Sequence, residues 1–417
     1  MEDIKYRVYT RRWLVWFAYI GINAALCYFW ATFFSVTTEA WHYYGFTDAA
    51  SGEAAMSALS MVIMAGMVIL SIPVSAIFAK FGWFKPTAAA GVLLAVCAVV
   101  RGYCGTSYTW LMITTIGASL TQPFTLNCFG MLAAKWFPPK ERGIANAGGL
   151  VSVYIGTMIA QFGFPWMQSM GLDFPAILKI FGYLTVILAV LFIVIGKEEP
   201  SVPPCEPELV ERINYVDGIK NLVTNKKFIV ATLIYFALNG VYGSFTTLID
   251  PIVQYFNNSS IDSMFVGTLG TIITITGCIG TLLLPSLTDR DAQHRRLPMI
   301  RICLAGSVVG LILFMTGHSS GMLILASAVF GFLFMGVQAV SVIFGCESGY
   351  PVSEGTTNSI LQLIGNLGSL IILAVINAAF MGNHLYSMIF IIGMTILSML
   401  LACFSKEASL HDRKLEK

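Results

Sequence analysis

The chain has 417 residues, of which 57% are apolar and only 11% charged, with a formal net charge of +2. Soluble domains carry roughly a quarter of their residues as Asp, Glu, Lys and Arg, so this composition excludes a soluble enzyme and any protein built to bind polyanions such as nucleic acid. It calls for an apolar solvent instead: runs of about twenty mainly apolar residues, each long enough to cross a ~30 Å hydrocarbon core as a helix, recur along the chain.

Twelve such runs are predicted in chain order, at 13–36, 54–80, 86–103, 107–134, 143–168 and 175–196, then at 228–254, 261–286, 298–317, 321–345, 355–380 and 384–404. The pattern predicts an all-α integral membrane protein, with a six-helix bundle over 1–196, a cytoplasmic linker over 197–227, a second six-helix bundle over 228–405 and a tail over 406–417. The linker reads as such because Pro200, Pro203, Pro204 and Pro207 stand among acids between two apolar blocks.

The first run follows Arg11-Arg12 directly, is long, and has no small-residue cleavage site, so it is expected to remain as a helix. Trp16, Tyr19, Asn23 and Trp30 fall on one face of it. Trp13 and Trp16, near the cytoplasmic end, are expected in the interfacial aromatic belt. Trp30, deeper in, is a candidate for the substrate path. The second run carries Met56, Met61, Met64 and Met67, which read as adaptable packing because no His or Cys accompanies them to hold a metal. Gln122 and Asn127 on the fourth run, Gln161 on the fifth, Gln338 on the tenth, and Gln362 and Asn366 on the eleventh add amides to the interior. On the seventh, Tyr235, Asn239, Tyr242 and Thr246 again form one stripe. Each amide is also a potential interhelical hydrogen bond, worth about 0.6 kcal/mol on average. The nine cysteines lack CxxC spacing, and no cofactor or metal site is expected.

Orientation follows from the basic residues. With the amino terminus inside, Lys5, Arg7, Arg11, Arg12, Lys80, Lys85, Lys135, Lys140, Arg142, Arg290, Arg295 and Arg296 all fall on cytoplasmic loops, leaving only Arg101 and Lys179 near outer helix ends. The opposite loops carry Glu39, His42, Asp48, Glu53, Asp173, Asp262, His318 and His384. Both termini are therefore expected in the cytoplasm, with the protein in the cell (plasma) membrane as a monomer. Asn257 and Asn258 open N-x-S sequons on an outer loop, a triplet that arises often by chance.

The halves repeat. Tyr19 and Asn23 have the spacing of Tyr235 and Asn239, and Gly143, Asn146, Tyr154, Gly156 and Thr157 have that of Gly355, Asn358, Asn366, Gly368 and Ser369. Acids and bases at the cytoplasmic helix ends, Glu141, Arg142, Asp289, Arg290 and Glu354, are candidates for a conformational latch, with a plain positive-inside anchor as the competing reading. No Asp, Glu, Lys, Arg or His stands near the middle of any run, so the interior suits neutral solutes or soft cations held by ring faces.

The segment Pro285-Ser286-Leu287-Thr288-Asp289-Arg290 resembles the second-half loop signature of the major facilitator superfamily; its first-half counterpart has Ala79 where the acid is usual. Tyr6 to Trp13, Trp136-Phe137-Pro138-Pro139-Lys140-Glu141 and Tyr350-Pro351-Val352-Ser353-Glu354-Gly355-Thr356 resemble the feline leukaemia virus subgroup C receptor-related family within it. That resemblance implies a secondary carrier of choline, ethanolamine or haem. It implies substrate roles for Trp30, for Asn366 in place of the family's eleventh-helix Gln, for Tyr154 in place of its fifth-helix Gln, and, within one residue, for Tyr242.

The expected substrate-binding set is thus Trp30, Asn23, Gln122, Tyr154, Asn239, Tyr242, Gln338 and Asn366. Choline or a related amine is the leading solute. Haem, with His42 or His384 as axial ligand, is an alternative, and a non-transporting receptor is the alternative of another class. No paired-carboxylate or His-rich constellation points to an enzyme.

Overall fold

A computed structural model of the chain describes residues 6–205, 215–257, 261–289, 295–350, 352 and 354–407. Its helices are α1 (Arg11–Ala31), α2 (Thr37–Tyr43), α3 (Ala49–Phe81), α4 (Phe84–Tyr103), α5 (Tyr108–Ser119), α6 (Gln122–Leu126), α7 (Phe129–Trp136), α8 (Arg142–Ser169) and α9 (Phe174–Ile195). They continue as α10 (Tyr215–Thr224), α11 (Lys226–Thr247), α12 (Ile249–Phe256), α13 (Ser263–Asp289), α14 (Leu297–Thr316), α15 (Ser320–Phe330), α16 (Gly336–Ser348), α17 (Glu354–Ala379) and α18 (His384–Phe404). Ten helices among the described residues are long and apolar enough to cross a membrane. Of the twelve predicted runs, those outside the ten are 107–134, which is broken, and 143–168, which forms the 28-residue α8.

The chain folds as two compact units. The first comprises Met1–Thr32, Tyr43–Gly45 and Ala65–Glu211; the second comprises Phe33–His42, Phe46–Met64 and Arg212–Lys417. In the first, α1 packs on α8 and α9, and α4 runs along α9. In the second, α11 packs on α17 and α18, and α13 on α15 and α16.

The glycines of the repeat make close helix crossings. A Cβ added at Gly156 would stand 2.3 Å from the Ala24 carbonyl oxygen, and one at Gly368 would stand 2.2 Å from that of Phe236. Only glycine lets helix backbones approach so closely. The same positions that match in sequence therefore seat α8 on α1 in one unit and α17 on α11 in the other.

Several predicted runs are interrupted, for local reasons. The seventh was expected to continue to 254, but α11 stops at Thr247, because the ring of Pro251 would clash with the Thr247 carbonyl four residues back; a new helix, α12, takes over with that proline in its first turn. The first was expected to reach 36; α1 ends at Ala31 and the chain turns into α2. In the fourth, Pro123 removes the bond to Ser119, and the run becomes α5, α6 and α7. The carbonyls left at the second break, between α6 and α7, are taken by hydroxyls of neighbouring helices, Thr125 O by the Tyr19 hydroxyl and Phe124 O by Thr87 Oγ1 at 3.1 Å. The tenth run has its own irregularity, a π-turn over Gly331–Met335 between α15 and α16, against which Gly280 of α13 packs closely.

Candidate functional site

In the first unit the polar face of α1 meets α8. Asn23 is fully buried and its Nδ2 donates to Ser152 Oγ at 2.6 Å, while its Oδ1 has no partner. Gln122 opens α6 at the break in the fourth run; it too is buried, with Oε1 unpartnered. A buried amide oxygen without a partner costs about 1–3 kcal/mol unless something donates to it. Tyr154 and Gln161 are buried on α8, and Trp30 is half-buried in the last turn of α1.

The end of α1 that carries Trp30 is fixed by two residues. Arg101 of α4, 4% exposed, donates from Nη1 to the Phe29 carbonyl at 2.8 Å, with its guanidinium carbon 4.1 Å from the centre of the Phe29 ring. The Tyr28 hydroxyl lies 2.5 Å from Thr185 Oγ1 and 3.1 Å from Phe181 O. Sequence reading left Arg101 as an exception to the charge rule at an outer helix end; a lone arginine in the last turn of an apolar helix was the available signal.

In the second unit Gln338 follows the π-turn as Gln122 follows the break in the first, and donates from Nε2 to Leu238 O at 3.4 Å. The Asn239 amide rests on Gly365, where an added Cβ would stand 2.4 Å from Nδ2, and the Asn239 carbonyl accepts from Ser369 Oγ at 2.8 Å. Asn366 Nδ2 donates back to Gln362 O at 2.9 Å. Tyr242 is half-buried, one turn before Thr246, whose Oγ1 donates to its carbonyl at 2.8 Å. Asn23, Gln122 and Tyr154 thus share one unit with Trp30, and Asn239, Tyr242, Gln338 and Asn366 share the other.

Trp16 is not a belt residue. It is buried, its Nε1 donates to Ala145 O at 2.9 Å, and its ring stands edge-on to Trp13 at 5.5 Å. The small residues of α8, Gly148 among them, leave a slot the indole fills, which cytoplasmic depth alone did not reveal. Asn257 Nδ2 donates to Val253 O at 3.0 Å, and Asn258 lies outside the described residues.

Among the described residues, charged side chains pair near the helix ends of both units. Asp289 pairs with Arg296 at 2.6 Å, and Arg296 pairs in turn with Glu347 at 2.9 Å. Arg290 and the side chain of Glu354 lie outside the described residues. In the first unit Arg12 takes both oxygens of Glu141, at 3.0 and 3.2 Å, and Arg142 reaches Phe137 O and Cys205 Sγ.

A correspondence between the units escaped the sequence reading. Glu198, after the sixth run, accepts the backbone N–H groups of Trp83 and Phe84 at the start of α4, at 3.2 and 2.8 Å. Glu407, after the twelfth, accepts those of Arg296 and Leu297 at the start of α14, at 3.2 and 2.9 Å. A carboxylate at a helix N-terminus satisfies orphan donors and the helix dipole together.

The two histidines considered as haem ligands differ. His42 is exposed and stacks on Trp41, with ring centres 3.6 Å apart. His384, expected near the surface, is buried instead, and its Nε2 is bonded to Glu53 Oε2 at 2.9 Å. Among the described residues no group of three His, Cys, Asp or Glu is arranged to hold a metal ion.

This helical architecture, with its discontinuous fourth and tenth runs and amides beside each break, is that of a multi-pass membrane protein. The Major Facilitator Superfamily model matches residues 19–373, and the chain belongs to that superfamily. Among curated proteins it is similar to the human choline/ethanolamine transporter FLVCR2, 24% identical over 382 residues covering 87% of this chain and 71% of that one. It is similar also to zebrafish choline/ethanolamine transporter flvcr2b, 22% identical over 85% and 75% of the two chains, and to an uncharacterized protein of Caenorhabditis elegans, B0416.5, 25% identical over 89% and 73%. Its fold matches the crystal structure of a bacterial homolog to the human lysosomal transporter Spinster, in an inward-facing and unoccupied conformation, with a TM-score of 0.73, 15% identity, and 97% and 99% of the chains covered.

Proposed function

We propose that this transporter carries choline or a closely related small amine across the cell membrane by alternating access, as a monomer with both termini in the cytoplasm. Trp30 and Tyr242 supply ring faces for the cationic head, and the unpartnered oxygens of Asn23 and Gln122 accept from its hydroxyl; Tyr154, Asn239, Gln338 and Asn366 complete the set. The observation that carries the reading is the placement of charge. Among the described residues the buried charged or imidazole side chains are Glu53, Arg101, Asp250, Arg296 and His384, each within a few residues of a helix end. The candidate residues themselves are rings and amides, which attract a soft cation without a buried counter-ion. The relatives named as choline/ethanolamine transporters support the choice of solute. The basic residues of the loops support the orientation.

Uptake of labelled choline into proteoliposomes tests this. A ring face contributes ~0.5–2 kcal/mol to holding a quaternary ammonium, so Trp30→Ala is expected to weaken apparent affinity roughly 2- to 30-fold. Absence of uptake by the unaltered protein, or uptake indifferent to Trp30→Ala, would refute the assignment.

A further inference from the structure

Away from these residues, the second unit contains a buried polar cluster that ties three parts of the chain together. Asp250 of α12, 1% exposed, accepts the Thr38 backbone N–H of α2 at 2.7 Å through Oδ2. Its Oδ1 takes Gln254 Nε2 at 3.3 Å, and the same amide donates to Ile261 O at 2.6 Å. Glu53 of α3 is bonded to His384 at the start of α18, with Tyr255 of α12 edge-on to the imidazole at 5.6 Å. Ser57 of α3 donates to Asn377 Oδ1 of α17 at 2.7 Å. The clasped segments, 33–42 and 46–64, run on directly into α1 and the rest of α3, whose residues belong to the other unit.

We propose that this cluster is a proton-operated outer gate: a proton taken up by the Asp250 carboxyl from the outer solution favours the clasped arrangement, and its return to water accompanies unclasping. The inference rests on the alternating-access reading above but not on the identity of the solute. Asp250 lies beyond the span Lys226–Thr247, among α2, α11, α12, α13 and α18. Burial pushes its carboxyl up to about 6; the bonds from Thr38 and Gln254 pull the other way and are outweighed, and the neighbouring Glu39 adds to the rise. The other charged groups at the cluster, Glu53 and His384, are bonded to each other.

In an unclasped form water returns to Asp250 and its pKa falls back to the ordinary ~3.9. The clasped form then binds the proton more tightly. Its handicap, an ionised buried carboxylate, is present in full above about pH 6 and is lifted as pH falls through that value, which corresponds to an approximately tenfold gain in the clasped-to-unclasped ratio between about pH 7.5 and pH 5.

Hydrogen exchange of the substrate-free full chain tests this, with the backbone amides of residues 37–57 followed across that pH range and corrected for intrinsic exchange. Protection is expected to rise about tenfold towards acid in the unaltered protein and to stay level in Asp250→Asn, whose side chain cannot ionise. Level protection in the unaltered protein, or the same rise in Asp250→Asn, overturns the proposal. Should Asp250→Asn not fold, Glu39→Gln serves: the midpoint moves to lower pH if Asp250 is the seat, and an unmoved midpoint overturns it. Since no solute is present, a protein that shows the gate but no choline uptake refutes only the substrate; one that takes up choline with level protection refutes only the gate.

Discussion

Arg101 carries a full charge into the packed end of α4, and what it does there is mechanical as much as electrostatic. Its guanidinium gives the Phe29 carbonyl a second donor, beside the Thr32 hydroxyl at 3.0 Å, in the last turn of α1, one residue before Trp30. Arg101→Met keeps most of the stem but leaves that carbonyl with the Thr32 hydroxyl alone, so a loss of ~0.5–1.5 kcal/mol of stability is expected, read as a lowered melting temperature. Arg101→Lys should recover only part of it, because an ammonium lacks the planar fork that reaches the carbonyl and faces the Phe29 ring together. Equal stability of all three proteins would show that the bond contributes nothing. At this scale the sequence identified residue types well and surroundings poorly. Asn23 and Tyr19 were legible as one stripe, since helical spacing places them so. The burial of Trp16 was not, since the slot it fills is made by Gly148, 132 positions further along (148 − 16).

For the elements, the close crossings of α1 with α8 and of α11 with α17 set how firmly each unit is built. The atoms an added methyl would meet at Gly156 and Gly368 are backbone carbonyl oxygens, which cannot swing aside. Gly156→Ala and Gly368→Ala are each expected to cost ~1–3 kcal/mol by forcing the helices apart. Gly130→Ala in α7, with nothing within 4 Å of the new methyl, is the control and should be no less stable than the parent. Thermal unfolding in detergent compares the three, and a Gly156→Ala protein as stable as the control would refute the crossing argument. Hydropathy located the runs because twenty apolar residues have one use in a bilayer. It did not locate their breaks. The proline at 123 was visible, but the second break, between α6 and α7, has no proline to mark it, and the carbonyls it leaves are taken up by Tyr19 and Thr87 from other helices.

Across the whole molecule, the internal repeat extends beyond the positions that match in spacing. Glu198 and Glu407 follow the last span of each half and each caps the third span of its own half, from non-aligned residue contexts. Replacing either carboxylate should loosen one helix start and leave the other alone: Glu198→Gln should speed hydrogen exchange at the first turn of α4, and Glu407→Gln at the first turn of α14. Exchange that changes at both sites or at neither would argue against paired local caps. Composition and periodicity by themselves determined that this protein lives in a bilayer, where its runs lie, and that its polar interior is amide and aromatic, because these depend on residues near one another in the chain. Tertiary structure alone decided that Arg101 holds the end of α1, that His384 is buried against Glu53 331 residues away, and that Asp250 closes on Thr38, because each bond joins groups whose separation along the chain carries no information about their distance in space.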